Sequence, residues 1–224
     1  MPCFSSKSMA AKDGICNYAC GKDRAAEFIR AISRRRSIYD LGRNMPISQK
    51  EVTEIVKSTI HLCPSSFNAK GFRIVLLFGA EHQKVWEMLK AALKKVTSED
   101  QYRLSEMKVN QCFAAGAGTI LFYEDGLTVK MQQETYPSYA ENFPTFSQHS
   151  SAMAQFAMWT ALAQEGIGAS LQHYNELIKE DLRAAFDIPQ EWELIAQMPF
   201  GSIEKPAKPR SDIEDKSLVI VHGE

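Results

Sequence analysis

Residues 147–165 read SQHSSAMAQFAMWTALAQE, and this stretch is the starting point for the predicted fold. Apolar residues fall on nearly all sides of the helix that the stretch predicts, which is typical of a helix buried in the middle of a protein or at a dimer interface. Gly166 follows in the usual position for a left-handed helix cap. Polar residues interrupt the stretch too often for a membrane span. We therefore expect a central buried helix and no membrane association.

Short apolar, β-branched runs on both sides of this helix predict strands. They cover Phe72–Phe78, Gly118–Tyr123, Ala169–Gln172, Glu193–Phe200 and Leu218–Val221. Helical spacing and a capping box at Ser48–Glu51 predict further helices. These cover residues 24–36, the segment from Ser48 to Ile60, Glu81–Val96 and Glu176–Phe186. Helices and strands intermix without regular βαβ alternation, so the predicted fold class is α+β.

One sizeable domain accounts for most of the 224 residues. Residues 1–23 are small and polar, and we interpret them as a flexible N-terminal extension that precedes a single domain at residues 24–224. The formal net charge of −1 removes the electrostatic basis for nucleic-acid binding. Basic residues cluster locally at Arg34–Arg36 and at Lys205, Lys208 and Arg210. Each cluster is either a site for a small anion or a solvated charged face.

The cysteines indicate the compartment. There are five of them, an odd number without a CxxC motif: Cys3, Cys16, Cys20, Cys63 and Cys112. This pattern predicts a reducing compartment, and we expect the cytoplasm. No His or Cys pair follows Cys16 and Cys20 at zinc-ligand spacing, so we expect no metal site.

Sequence motifs of most enzyme classes are missing. The chain has no P-loop, no HExxH and no GxSxG, and Gly116-Ala117-Gly118 precedes its strand, which is the wrong context for a dinucleotide turn. The five histidines are scattered, which does not support a metalloenzyme or a hydrolase. Two basic clusters, one Ser/Asn loop and one Gln-His-Tyr strand end remain. A cofactor that carries its own reactivity needs only binding, orientation and electrostatics from the protein.

These remaining segments resemble the nitroreductase family. Arg34–Tyr39 is similar to the N-terminal Arg-Arg-Ser signature of the family, and Cys63–Asn68 to its Pro-Ser-Ser-x-Asn loop. Four further segments resemble the subgroup that includes fungal members and a copper-induced bacterial member: Asn142–Pro144, Ser150–Ala163, Gly166–Asn175 and Met198–Gly201. The resemblance covers about residues 27–222, and it implies an intertwined homodimer with a mostly antiparallel sheet flanked by helices.

The resemblance also implies which residues bind FMN. One group of residues matches the family's contacts to the phosphate, the ribityl chain and the pyrimidine edge of FMN, namely Arg35, Arg36 and Ser37. A second group matches the basic pair that completes the phosphate site, namely Lys208 and Arg210. Gln172 and His173 match the strand end beside the flavin N5, with His173 adjacent to the flavin and not an acid or base. The loop that reaches the flavin from the partner subunit is matched by Pro64, Ser65, Ser66 and Asn68.

The sequence departs from the family pattern at two places. Many relatives carry a basic residue two places after the Ser, where it stabilises negative charge at the flavin N1–C2=O edge, and Tyr39 occupies that place here. The polar residues that precede the second strand align poorly, which leaves Lys108 or Asn110 as alternatives for that role.

By the resemblance, NAD(P)H reduces FMN, and a nitroaromatic or quinone-type acceptor is then reduced at the same face in a ping-pong mechanism without a side-chain nucleophile. The partners are a second copy of the chain and a small-molecule electron acceptor. The alternative is a flavin-binding or thiol-based regulator of oxidative stress or lipid signalling, in which reductase activity is incidental.

Overall fold

The computed structural model describes residues 25–210 and 218–223. Seven α-helices lie within these residues: α1 Ala26–Arg34, α2 Gln49–Leu62, α3 Gly79–Val96, α4 Glu99–Lys108, α5 Gly126–Thr135, α6 Phe143–Gln164 and α7 Asn175–Phe186. The strands described are β1 Leu41–Gly42, β2 Phe72–Phe78, β3 Gly118–Asp125, β4 Gly168–Ala169 and β5 Trp192–Ile203. Short 3-10 segments occupy Ser66–Asn68 and Pro137–Asn142, and a π-helical turn occupies Val109–Phe113.

The strands form one antiparallel sheet with the order β1-β5-β3-β2. The long strand β5 pairs with β3 along most of its length and with β4 and β1 near its C-terminal end. Two single-residue bridges extend this sheet: a parallel bridge from Ser37 to Ala169 and an antiparallel bridge from Gln172 to Gln197. The predicted α+β class with a mostly antiparallel sheet is therefore confirmed.

Helices cover both faces of the sheet. Because side chains alternate along a strand, β3 sends Ile120 and Phe122 to one face and Leu121 and Tyr123 to the other. The first face packs against α2 and α6, with a core of buried residues that includes Val52, Val56, Met158 and Leu162. The second face packs against α3, α7 and the π-helical turn, with a core that includes Trp86, Leu89, Phe113, Ile178 and Leu182.

The central helix α6 confirms the helix predicted at 147–165, although it begins four residues earlier. Pro144 lies in its first turn, where a missing N–H costs nothing. One side of α6 is buried through Ala154 and Met158, whereas Met153 and Phe156 on the other side remain 42% and 40% exposed in the single chain. The helix is therefore both a core element and a surface with apolar side chains.

Two of the predicted elements need correction, a third was predicted to pair with a second copy and is not tested by one chain, and two helices were not predicted. The helix predicted at 24–36 ends at Arg34, because Arg35 is already extended. The strand predicted at Ala169–Gln172 is reduced to β4 and the bridge at Gln172. Residues 218–223 form no strand in the single chain, and Leu218–Val221 are exposed. Helices α4 and α5 were not predicted, since their exposed apolar residues blur the helical pattern. The extension at 1–23, with Cys3, Cys16 and Cys20, lies outside the described residues.

Candidate functional site

The two basic clusters come together in the folded chain. Arg210 donates hydrogen bonds from Nη2 to the backbone oxygens of Ser33, at 3.1 Å, and Arg35, at 3.2 Å. The Arg36 guanidinium donates in return to the backbone oxygen of Lys208. These contacts join the end of α1 to the segment after β5, and they place four of the predicted phosphate ligands side by side.

No carboxylate within the described part of the chain pairs with the arginines or with Lys208 of this cluster. Lys205 differs, because its Nζ lies 3.2 Å from Asp40. Burial, Arg210 and Arg36 together lower the pKa of Arg35, whose guanidinium lies 4.4 Å from the centre of the Trp159 ring. An anion at the cluster would relieve the mutual repulsion of these cations.

An open sheet edge begins next to the cluster. The backbone N–H of Ile38 donates to the oxygen of Ala169 at 2.9 Å, which holds Ser37 beside β4. The N–H groups of Ser170 and Gln172 donate to β5, at 3.3 Å and 2.7 Å. Successive N–H groups of an extended chain point to opposite sides. The groups of Leu171 and His173 therefore face the Ser37 side.

These two N–H groups are free to bind a ligand. No acceptor within the described part of the chain receives a hydrogen bond from the N–H of Leu171 or His173. From Ala169 to His173 the edge extends about 13 Å, at roughly 3.3 Å per residue. The side chains of Ser37 and His173 are exposed. A ligand with an anionic group at the basic cluster could therefore lie along the edge as far as His173.

The Ser/Asn loop has a strained backbone that aromatic contacts support. Phe67 and Asn68 have φ angles of 51° and 54°, a conformation that non-glycine residues seldom adopt. The Phe67 ring lies 4.6 Å from the Tyr136 ring and 5.4 Å from the Phe143 ring, measured between centroids. These aromatic contacts hold Phe67 and thereby fix the loop, although 49% of the surface of Phe67 remains exposed.

Polar contacts attach the loop to α6. The backbone N–H of Ser66 donates to Ser150 Oγ at 3.3 Å, and the hydroxyl of Ser65 accepts from the N–H of Lys70 at 2.8 Å. Both serines line a small cavity of about 20 Å³, enough for one water molecule. Pro64 and Asn68 are exposed.

The loop and the basic cluster lie at different positions along α6. The loop contacts Ser150, whereas Arg35 stacks on Trp159, and nine residues at about 1.5 Å each separate the two by about 14 Å. The structure therefore brings together Arg35, Arg36, Ser37, Lys208, Arg210 and the strand end with Gln172 and His173. The polar contacts of the loop go to Ser150 and Lys70 and not to this group of residues.

Sequence reasoning missed Trp159. Its ring supports Arg35, and its buried Nε1 has no hydrogen-bond partner among the described residues. Nothing distinguishes this Trp from the other apolar residues of 147–165 until the fold places α1 against α6.

Asn110 and Lys108, the two alternatives for the family's polar position before the second strand, make other contacts. Asn110 accepts from Lys90 Nζ at 2.9 Å, and Lys108 lies over the Phe113 ring. Tyr39 is exposed, as its place after Ser37 suggests.

Residues 25–210 and 218–223 contain no group of His, Cys, Asp and Glu side chains that could hold a metal ion. Among the same residues, no helix has the length and apolar character that crossing a membrane requires.

Fold and site together define an α+β protein with a cluster of cationic side chains at one end of a sheet edge. The sequence model of the Nitroreductase family matches residues 32–202. The chain belongs to this family, and it is an oxidoreductase. Nitroreductase FRM2 of Saccharomyces cerevisiae is 33% identical over 179 residues, which cover 78% of this chain and 86% of FRM2.

Solved structures agree with this assignment. Nitroreductase CinD from Lactococcus lactis, in complex with chloramphenicol, is 38% identical with a TM-score of 0.80, and the match covers 88% of this chain and all of CinD. CinD has also been solved with 4-nitrophenol and with nicotinic acid. A nitroreductase from Desulfitobacterium hafniense with bound FMN shares the fold, with 16% identity and a TM-score of 0.65 over 88% of this chain and 98% of that one.

Proposed function

We propose that the protein is an FMN-dependent oxidoreductase that uses NAD(P)H to reduce nitroaromatic or quinone-type acceptors. The observation that carries the proposal is the basic cluster at the start of a sheet edge, where no described residue pairs with the cluster or accepts from the edge donors of Leu171 and His173. FMN has a terminal dianionic phosphate and a flat ring with polar edges, and both features suit this arrangement. Guanidinium groups and an ammonium match the phosphate in charge and geometry.

Each residue then has a stated task. Arg35, Arg36, Lys208 and Arg210 would hold the phosphate, and Trp159 would keep Arg35 in place. Ser37 would contact the ribityl chain and the pyrimidine edge. The backbone N–H of His173 would face the reacting edge of the ring, while the exposed imidazole takes no part as acid or base. When bound, FMN would supply the chemistry, accepting a hydride from NAD(P)H and passing two electrons to the acceptor.

The proposal includes a homodimer. The loop with Pro64, Ser65, Ser66 and Asn68 resembles the family loop that reaches the flavin from the partner subunit, and it makes its contacts about 14 Å along α6 from the basic cluster of its own chain. We therefore propose that it contributes to the site of a second copy. Apolar side chains of Phe156, Phe67 and Leu218–Val221 are exposed in the single chain and need cover. The strand predicted at Leu218–Val221 would form on the partner.

The acceptor class follows from the relatives. Chloramphenicol and 4-nitrophenol, both bound in structures of CinD, carry a nitro group on an aromatic ring, and nicotinic acid has the pyridine ring of a nicotinamide donor. Donor and acceptor that use one face in turn give ping-pong kinetics. We place the protein in the cytoplasm, as the cysteine pattern predicts.

The thiol-based alternative gains no support from the two cysteines that the structure describes. Burial raises the pKa of Cys63 and of Cys112, so both thiols stay protonated at neutral pH. Cys3, Cys16 and Cys20 lie outside the described residues.

The test is the identity and retention of the flavin. We expect purified protein to release FMN and no FAD on denaturation. Arg35→Ala, or Lys208→Ala with Arg210→Ala, removes hydrogen bonds to a charged group that contribute about 1.5–3 kcal/mol each, which weakens FMN binding roughly tenfold or more. Lys205→Ala is the matched control, because Lys205 pairs with Asp40. A colourless protein that takes up no added FMN would overturn the proposal, and unchanged affinity in the double variant would overturn the phosphate assignment.

A further inference from the structure

The buried side chain of Gln197 connects the strand end at His173 to the rest of the fold. Gln197 lies on β5 with 0% of its surface exposed. Its backbone exchanges two hydrogen bonds with Gln172, at 2.7 Å and 2.9 Å. Its side-chain Oε1 accepts from the backbone N–H of Tyr174 at 2.8 Å. One residue therefore holds the chain on both sides of His173.

A second amide completes this arrangement. Gln197 Nε2 donates to Asn175 Oδ1 at 2.6 Å, and Asn175 Nδ2 donates to the backbone oxygen of Ile195 at 2.8 Å. Asn175 is the first residue of α7. The start of α7, the strand end and β5 are thus joined through two side-chain amides, which we call the Gln197–Asn175 clamp.

The backbone N–H of His173 takes no part in the Gln197–Asn175 clamp. The N–H groups of Gln172 and Tyr174 are both bonded to Gln197, whereas that of His173 points to the open edge. Burying a glutamine in an apolar sheet is unfavourable unless its amide is hydrogen-bonded. Both polar atoms of the Gln197 amide have a partner, and the partners Tyr174 and Asn175 lie one and two residues after His173.

We infer that the Gln197–Asn175 clamp is a positioning device that sets the direction of the His173 N–H toward the reacting edge of the flavin. The inference rests on the proposed function, since it names the residues that orient one of its contacts. Neither amide touches the cofactor, so both are positioning residues. Gln197 and Asn175 would determine how well the His173 N–H donates to the flavin ring as negative charge develops on it. This stabilisation depends on the position of the donor to within about 1 Å.

The variants are Gln197→Leu, which removes both side-chain contacts of Gln197, and Asn175→Ala, which removes both bonds of Asn175 and keeps the one from the Tyr174 N–H to Gln197. Gln197→Glu keeps an acceptor for the Tyr174 N–H and serves as the conservative variant. The matched control is Gln83→Leu on α3, where the amide donates to the backbone oxygen of Ala114 at 2.6 Å, outside this strand end.

Two measurements on flavin-free and FMN-loaded protein test the inference. In flavin-free protein, amide hydrogen exchange at Tyr174 is expected to be about two- to tenfold faster in Gln197→Leu, the scale of one lost hydrogen bond. In loaded protein, the rate of flavin reduction by NAD(P)H falls by about ten- to a hundredfold with KM nearly unchanged, and the midpoint potential falls. Asn175→Ala and Gln197→Glu give smaller changes of the same sign, and Gln83→Leu gives none.

The possible outcomes distinguish failure of the positioning role from failure of the proposed function. Wild-type protein that binds no FMN overturns the proposed function and the positioning role with it. Wild-type protein that binds FMN, together with Gln197 and Asn175 variants of unchanged potential and reduction rate, overturns the positioning role alone. A Gln197→Leu variant that fails to fold leaves the decision to Asn175→Ala and Gln197→Glu, since each keeps part of the clamp.

Discussion

Acid is expected to destabilise the fold through His82, which lies on α3 with 1% of its surface exposed. Its Nδ1 lies 2.7 Å from Thr119 Oγ1, and its Nε2 lies 3.3 Å from the backbone oxygen of Ala114. The carbonyl can only accept, so Nε2 carries the proton and Nδ1 accepts from the Thr119 hydroxyl. Trp86 Nε1 in turn donates to Thr119 Oγ1 at 3.0 Å. The neutral imidazole therefore satisfies every group, whereas a second proton on Nδ1 would take away the acceptor of the Thr119 hydroxyl.

The size of the effect follows from the pKa. Burial, with a smaller contribution from the charge of Arg43, lowers the pKa of His82 from its ordinary 6.5 to about 4. Because the folded pKa lies below the unfolded one, the unfolded chain binds the proton first, and stability falls as pH drops from about 6.5 to about 4. Above pH 6.5 the contribution is constant. At about 1.4 kcal/mol per pKa unit, the loss is about 3 kcal/mol, a large share of the roughly 5–15 kcal/mol that stabilises a typical domain.

The assay is urea denaturation of wild type and His82→Gln at pH 7, 6, 5 and 4, at one protein concentration. Glutamine cannot take up a proton but can still donate to Ala114 and accept from Thr119. We expect the difference in unfolding free energy between the two proteins to change by about 3 kcal/mol between pH 7 and pH 4, with the wild type losing more. His61→Gln on the exposed side of α2 is the control and shows no such change. A difference that is constant with pH would refute the assigned network and its neutral imidazole.

The remaining predictions concern assembly and mechanism. Light scattering is expected to give about twice the 25.2 kDa chain mass. The Phe156→Glu variant is expected to be a monomer that loses FMN, because a charge at this position is costly to bury in the dimer interface. The control variant Leu104→Glu, on the exposed side of α4, is expected to stay dimeric. A monomer with stoichiometric FMN would contradict the shared site. Double-reciprocal plots of steady-state rates are expected to be parallel, and intersecting plots would show that donor and acceptor bind together. Replacing all five cysteines by Ser, or His173 by Ala, lowers kcat by less than about a hundredfold, since general acid–base help is worth typically 10²–10⁴-fold where it is used; a larger loss in the cysteine-free variant would favour thiol chemistry.

Local patterns predicted much of the fold. The capping box at Ser48 forms as expected, and Phe72–Phe78 is a strand with the predicted bounds. Both features depend on neighbours in the chain, through backbone hydrogen bonds or a continuous apolar run. The strand predicted at Leu218–Val221 differs, because a strand needs a partner and the single chain supplies none.

In the candidate site, too, local patterns predict some residues and not others. Motifs identify the segments at 34–37 and 172–173, and their proximity follows from hydrogen bonds across more than a hundred residues of sequence. Trp159 and Gln197 carry no local signal, because an apolar helix and a sheet strand contain such residues for packing alone. The binding roles of the motif residues remain predictions until the flavin is measured.

The position of β5 has a consequence for synthesis of the protein. This strand contacts β1, β3 and β4, yet residues 192–203 are among the last of the domain to leave the ribosome. Until they emerge, β3 has β2 on one side and a row of unpaired backbone groups on the other, with apolar side chains on both faces. Exposed edges of this kind favour aggregation. The nascent chain therefore exposes an aggregation-prone edge of β3 until β5 has emerged.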